Sequence, residues 1–141
     1  MSLVKICREK NIYLIEDNCE SLGSKFKSKH LGTFGDFGTF SFYYSHQITS
    51  GEGGMIVCKS KEDYDLLRVL RSHGWDRNIN NKNSKNFNFI NSGFNLRPLD
   101  LTAAIGMNQL KRLNNMKEIR KQNKNKLINS IKKLPYWNKY F

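Results

Sequence analysis

Ile12-Tyr13-Leu14-Ile15 is a compact apolar run that stops abruptly on Glu16-Asp17. Such a run suits a short strand that delivers an acid at its carboxyl end. The carboxyl ends of strands are where α/β folds place their chemistry. A turn-rich stretch follows, with Gly23, Gly32, Gly35 and Gly38, and then Thr39-Phe40-Ser41-Phe42-Tyr43 reads as a second strand. Gly51-Glu52-Gly53-Gly54 supplies the turn into a third strand, Met55-Ile56-Val57-Cys58. Ser60 with Asp63 three residues later opens a helix in the manner of a capping box. Leu66, Leu67 and Leu70 carry that helix at helical spacing until His73-Gly74 closes it. Strand, turn, strand and helix in this order give an α/β fold class.

The Asn-rich segment 78–92 has no apolar period and is expected to be an exposed loop. From Pro98 an amphipathic pattern runs through Leu101, Ile105, Leu110, Leu113, Ile119, Leu127 and Ile131 toward Pro135, which predicts one helix of roughly 35 residues. A helix of that length exceeds what a domain of this size covers well, so something else is expected to pack on it.

At 141 residues with 38% apolar content, the chain is long enough to build a core. It lacks the run of roughly 18 apolar residues that a membrane span needs, and it opens without a secretory signal, so a cytoplasmic protein is expected. Cys7, Cys19 and Cys58 are few, odd in number and widely spaced, which signals neither a disulfide framework nor a metal site. The formal net charge of +12 is concentrated at one end: residues 101–141 hold ten Lys or Arg against one Asp or Glu. Interleaved with Asn and Gln along a helix, these charges read as a solvated or partner-covered face. A groove for nucleic acid is the lesser reading.

Three groupings carry chemistry: Asp17 at a strand end; Ser41 through Gly54, where Ser, His, Thr and a glycine turn converge; and Gly93-Phe94-Asn95-Leu96-Arg97-Pro98, which opens a helix. Amides and hydroxyls at such turns and helix starts hold phosphates. Each signal has a plainer meaning as a capping acid or a tight turn. Among the histidines, His73 at a helix end reads as structural and His30 in a polar turn as exposed. Tyr43, Tyr44 and Phe42 suit either a sugar pocket or a core.

Taken in order, the segments LIEDNCESLG (14–23), LGTFGDFGTFSF (31–42), HQITSGEGGM (46–55), LRSHGWDR (70–77) and GFNLRPLDLTAAIGMNQLKRL (93–113) resemble the DegT/DnrJ/EryC1/StrS family of nucleotide-sugar aminotransferases. The resemblance covers about residues 10–125. It implies part of the large, cofactor-binding domain of a type I, aspartate aminotransferase-like fold that uses pyridoxal phosphate. It also implies a homodimer with shared sites.

By that resemblance Asp17 matches the aspartate beneath the cofactor's pyridine nitrogen, and Ser41 matches a hydroxyl that binds its phosphate. Asn95 matches an asparagine reaching across the dimer to the neighbour's phosphate, and Glu20 stands where many members carry Gln near the ring. His46 occupies the place of the lysine that holds the cofactor covalently in ordinary members, and imidazole cannot form that bond. A subgroup that resembles this chain in carrying histidine there comprises the nucleotide-4-keto-6-deoxyhexose 3-dehydratases of dideoxysugar and lipopolysaccharide O-antigen biosynthesis. They bind the cofactor noncovalently, as pyridoxamine phosphate.

The resemblance then implies that His46 removes a proton from the cofactor's C4′ carbon and assists loss of the sugar's 3-hydroxyl, a task for which a group with an unperturbed pKa of about 6.5 is suited. The implied partners are a nucleotide-linked 4-keto-6-deoxy sugar and glutamate as amino donor. An iron-sulfur route is disfavoured because three scattered cysteines do not make a cluster. The family's phosphate-binding turn, its ring-stacking aromatic and its small C-terminal domain are absent from the sequence, the last expected beyond the helix that begins near 98. Residues 1–141 alone are therefore expected to bind cofactor weakly or not at all.

Overall fold

A computed structural model of the protein describes residues 3–79, 87–134, 136 and 137. The elements run α1 (Leu3–Glu9), β1 (Ile15–Asp17), β2 (Lys25–Phe26), β3 (Lys29–His30), β4 (Phe37–Ser41), β5 (Gly54–Cys58), α2 (Lys61–Leu70), a 3-10 turn (Asp76–Asn78), α3 (Asp100–Leu110) and α4 (Leu113–Ile131). Three strands form the main sheet in the order β1-β4-β5.

β1 pairs with β4 in parallel, with Asp17 opposite Thr39, and β5 returns antiparallel so that Ser41 faces Gly54. The carboxyl ends of β1 and β4 and the start of β5 therefore lie at one edge. The first strand starts three residues later than its apolar run, because Leu14 spends its backbone on Asp36: its amide donates to the carboxylate at 2.8 Å, and its carbonyl accepts the Asp36 amide at 2.8 Å.

Between β1 and β4 lies a hairpin with no counterpart in the sequence reading. Lys27 and Ser28 both take positive φ, 46° and 66°. This is the twist that a two-residue hairpin turn needs, reached here without the usual Asn-Gly. The stretch after it folds back tightly: a Cβ on Gly38 would strike the carbonyl oxygen of Gly32, so only glycine permits that approach.

α2 begins as its sequence signals. The Ser60 hydroxyl accepts the Asp63 amide at 2.9 Å and donates to the Asp63 carboxylate at 2.7 Å. The helix ends at Leu70, three residues short of His73-Gly74, because the 93–96 segment competes for its last carbonyls: the Phe94 amide donates to Leu70 at 2.6 Å and the Leu96 amide to Arg71 at 2.9 Å. The described part of the Asn-rich segment is exposed, as expected, but is tied down by the Trp75–Phe89 bridge and by Phe87 stacked on Trp75 at 4.8 Å. Residues 80–86 lie outside the described residues.

The expected single helix from Pro98 is two helices. At Arg112 the amide bonds the Gln109 carbonyl, three residues back, at 2.9 Å. That tighter turn interrupts the four-residue ladder, and α4 starts afresh at Leu113. The core is small: Cys7, Phe40, Ile48 and Val69 are the buried apolar side chains among the described residues. Leu96, Leu99, Leu101 and Met107, around and on α3, stay about two-thirds exposed. Nothing among the described residues covers this apolar face.

Candidate active site

Glu16 and Asp17 leave β1 in opposite directions, as neighbours on a strand must. Glu16 turns inward. Its Oε1 accepts the amides of Phe34 and Gly35 at 2.6 Å each, and its Oε2 accepts the Gly32 amide at 2.7 Å. Burial pushes this carboxyl up, but the amides of Gly35, Gly32 and Phe34, with Lys59 adding to them, together hold it below the usual carboxylate range. Glu16 is thus the anchor of the glycine loop that precedes β4. The sequence reading passed over it in favour of Asp17, though an acid next to a strand end and upstream of three glycines was its available signal.

Asp17 turns outward and is exposed. Its Oδ1 accepts the Cys19 amide at 3.1 Å and the Thr39 hydroxyl at 3.4 Å. The Cys19 thiol, then the Cys19 amide, then Thr39 lower its pKa, and Asp17 in turn raises that of Cys19. The strand end therefore presents a firmly ionised carboxylate.

Ser41 closes β4 at the same edge. Its Oγ accepts the Tyr43 amide at 3.2 Å, which leaves the hydroxyl hydrogen free to donate elsewhere. From there the chain bends through Tyr43, whose phenol lies edge-on to the His46 ring at 6.1 Å, and through His46 itself. The Thr49 hydroxyl donates to Phe42 at 3.2 Å and accepts the Gly51 amide at 2.9 Å, fixing the loop that returns to β5. Tyr43 and Tyr44 are exposed beside this loop rather than in the core.

The His46 side chain is only 12% accessible, and its Nδ1 lies 3.2 Å from Glu20 Oε1. That approach is off the hydrogen-bond line, so Nδ1 is buried without a completed bond. Glu20 is brought there by its own backbone: its carbonyl accepts Gln47 Nε2 at 2.5 Å, stapling the turn after β1 to the residue next to His46. The same turn is braced internally, with Asn18 Nδ2 donating to the Glu16 carbonyl and the Ser21 hydroxyl to Asn18 Oδ1, both at 2.9 Å.

The fold thus gathers Asp17, Glu20, Ser41 and His46 at one sheet edge. Asn95 lies apart. It pairs with Ser72 beyond the end of α2 and is exposed, and among the described residues no hydrogen bond, ion pair or ring contact joins it to those four. An ionised carboxylate at one strand end fits a protonated ring nitrogen. A donating serine at the next strand end fits a phosphate oxygen.

These features define an α/β protein of the pyridoxal-phosphate-dependent aminotransferase fold. The structure of a GDP-4-keto-6-deoxymannose-3-dehydratase variant with bound GDP-perosamine matches it with a TM-score of 0.86 at 39% identity, over 93% of this chain and 37% of that one. The E. coli GDP-4-keto-6-deoxy-D-mannose-3-dehydratase with bound hydrated PLP matches with a TM-score of 0.84 at 42% identity, over 93% and 36%.

The chain belongs to the DegT/DnrJ/EryC1/StrS aminotransferase family, whose model matches residues 1–139. Among curated relatives, the GDP-4-keto-6-deoxy-D-mannose 3-dehydratase of Escherichia coli O55:H7 is 42% identical, over 94% of this chain and 37% of that protein. The enzyme of the same name from Yersinia pseudotuberculosis is 39% identical, over 86% and 34%. GDP-perosamine synthase from Escherichia coli O157:H7 is 36% identical, over 89% and 35%. The chain spans little more than a third of the length of these relatives.

Proposed function

We propose that the whole protein is a pyridoxamine-phosphate-dependent sugar 3-dehydratase that acts on a nucleotide-linked 4-keto-6-deoxyhexose, with His46 as its base. The observation that carries this reading is a largely enclosed imidazole, 12% accessible, at the sheet edge where Asp17 and Ser41 end their strands. An ordinary aminotransferase needs a side-chain amine at such a place, and imidazole has none to offer.

The bound cofactor supplies an electron sink and an amine to engage the sugar's 4-keto group. Asp17, ionised and outward, pairs with the ring nitrogen. Glu20 would lie near the ring, Ser41 would donate its hydroxyl to the phosphate, and Asn95 would serve the phosphate of a partner copy in a cytoplasmic homodimer. With the cofactor bound, His46 would take at Nε2 the proton given up by the cofactor's C4′ carbon and return it to the departing 3-hydroxyl, which would leave as water.

The two dehydratase relatives support this reading, and a related dehydratase structure that traps a PLP-glutamate adduct supports glutamate as the amino donor. GDP in the relatives' substrate names favours GDP as the nucleotide. Transamination is the second reading, favoured by the likeness to GDP-perosamine synthase.

The test incubates the whole protein with pyridoxamine phosphate, glutamate and GDP- or CDP-linked 4-keto-6-deoxyhexoses, and follows products by mass spectrometry. A 3-deoxy product that disappears in His46→Lys is the expected result. An amino sugar from the native protein, or no change in the variant, rejects His46 as the base.

A further inference from the structure

We infer that Glu20 is a positioning residue for His46: its carboxylate takes the Nδ1 proton in a hydrogen bond and so leaves Nε2 bare and oriented for proton abstraction. The inference rests on the reading of His46 as the base and extends it to the group that prepares the base.

A buried ring nitrogen without a partner costs free energy, so native structures almost always supply one. His46 Nδ1 is such an atom, and Glu20 Oε1 lies 3.2 Å away. The two groups differ in freedom in a way that lets them meet. His46 is held by its surroundings, its amide donating to the Tyr43 carbonyl at 3.1 Å and its ring flanked by Tyr43. The Glu20 side chain is 82% exposed on a backbone whose carbonyl is held by Gln47. A small rotation of the carboxylate brings an oxygen onto the Nδ1–H line without moving the loop.

Which nitrogen of a neutral imidazole carries the proton is set by the bond the other nitrogen makes. An acceptor at Nδ1 fixes the proton there, and Nε2 keeps its lone pair. A cation at Nδ1 would have done the opposite. Glutamine at this place would also offer an oxygen, but its amide can turn its NH2 group to Nδ1 instead. The carboxylate has no such alternative, since both of its oxygens accept.

Nitrogen-15 NMR of the histidine rings in the whole protein, freed of cofactor and sugar, reads the tautomer directly. In the native chain His46 is expected with its proton on Nδ1 and a bare Nε2. Glu20→Ala is expected to lose the Nδ1–H signal and protonate Nε2, while Glu20→Gln restores much of the native pattern. Because Glu20 is exposed, neither variant should disturb folding.

In the whole protein Glu20→Ala should lower kcat by up to about a hundredfold, the lower end of what a positioned general base contributes, with KM unchanged. A native His46 with a bare Nδ1, or identical spectra in Glu20→Ala and the native chain, overturns the inference. A native Nδ1 proton in a protein that performs no dehydration rejects the functional reading and leaves the hydrogen bond standing.

Discussion

Lys117, on α4, donates its Nζ proton to the carbonyl of Gly23 at 2.8 Å, across 94 residues of sequence. Its stem also lies along Gly23, where an added Cβ would meet Lys117 Cδ at 3.2 Å. One lysine of the basic tail thereby fastens the helix to the turn that carries Glu20. Removing the bond with Lys117→Met, which keeps most of the stem, should lower stability by about 1 kcal/mol. A chemical-denaturation midpoint that does not move would show the bond contributes nothing, and faster hydrogen exchange at Gly23 and Ser24 would localise the loss.

Glu16 should make stability depend on acid. Its folded-state pKa is lowered, so below its ordinary range the unfolded chain takes up the proton first. The contribution is therefore complete above the unfolded-state value, about 4.3, and is lost as pH falls through the lower folded-state value. Glu16→Gln keeps one acceptor oxygen but turns an NH2 group toward an amide donor. It should cost about 2 kcal/mol at neutral pH and flatten the acid limb of the stability curve. Denaturation midpoints measured from pH 7 to pH 3 check both parts, and parallel curves for the two proteins would argue against them.

Gly38→Ala should be poorly tolerated even though alanine is small. The new methyl would collide with the Gly32 carbonyl, which belongs to the loop held by Glu16 and so cannot retreat freely. A loss of roughly 2 kcal/mol is expected from overpacking of this kind. Thermal melting compared with Gly51→Ala isolates the steric part: the Gly51 site has open space, with strain only from its positive φ of 86°.

Asp17→Ala should separate function from folding. The side chain is exposed and gives up only its bonds to the Cys19 amide and the Thr39 hydroxyl, so the melting temperature of Asp17→Ala should fall slightly and the variant should stay folded. Binding of pyridoxamine phosphate by the whole protein, followed by its near-ultraviolet absorbance, should be lost. Asp17→Asn should behave similarly, because the carboxamide keeps the shape and removes the charge that pairs with a ring nitrogen. Undiminished binding by either variant would mean that the carboxylate at the end of β1 has another task.

Much of the site was legible in the order of short signals along the chain. An apolar run ended by acids placed Asp17 at a strand end, and the resemblance of the segment around it to the aminotransferase family singled out His46. The Ser60-Asp63 pair fixed the start of α2 to the residue, since a helix cap is a contact between positions three apart and needs no tertiary structure. The tight hairpin at Lys27-Ser28 was not legible. Its positive φ values are imposed by the strands on either side, in residues that carry no preference for them.

The break between α3 and α4 was hidden for a related reason. The apolar period of residues 98–131 continues across Arg112, and only the local i to i−3 bond at Gln109 interrupts the helix.

The sequence by itself determined which chemical groups the chain possesses and the local elements that carry them: an acid after a strand, a histidine ahead of a glycine-rich turn, a capped helix and a basic amphipathic tail. The tertiary structure decided which groups meet. Parallel pairing of β1 with β4 set Asp17 and Ser41 at one edge, and Glu16 rather than Asp17 became the anchor of the glycine loop. Gln47 drew the Glu20 turn against His46. Local signals report the preferences of neighbouring residues, whereas the distance between Glu20 and His46, 26 positions apart, follows only from sheet register and the hydrogen bonds that close the loops around it.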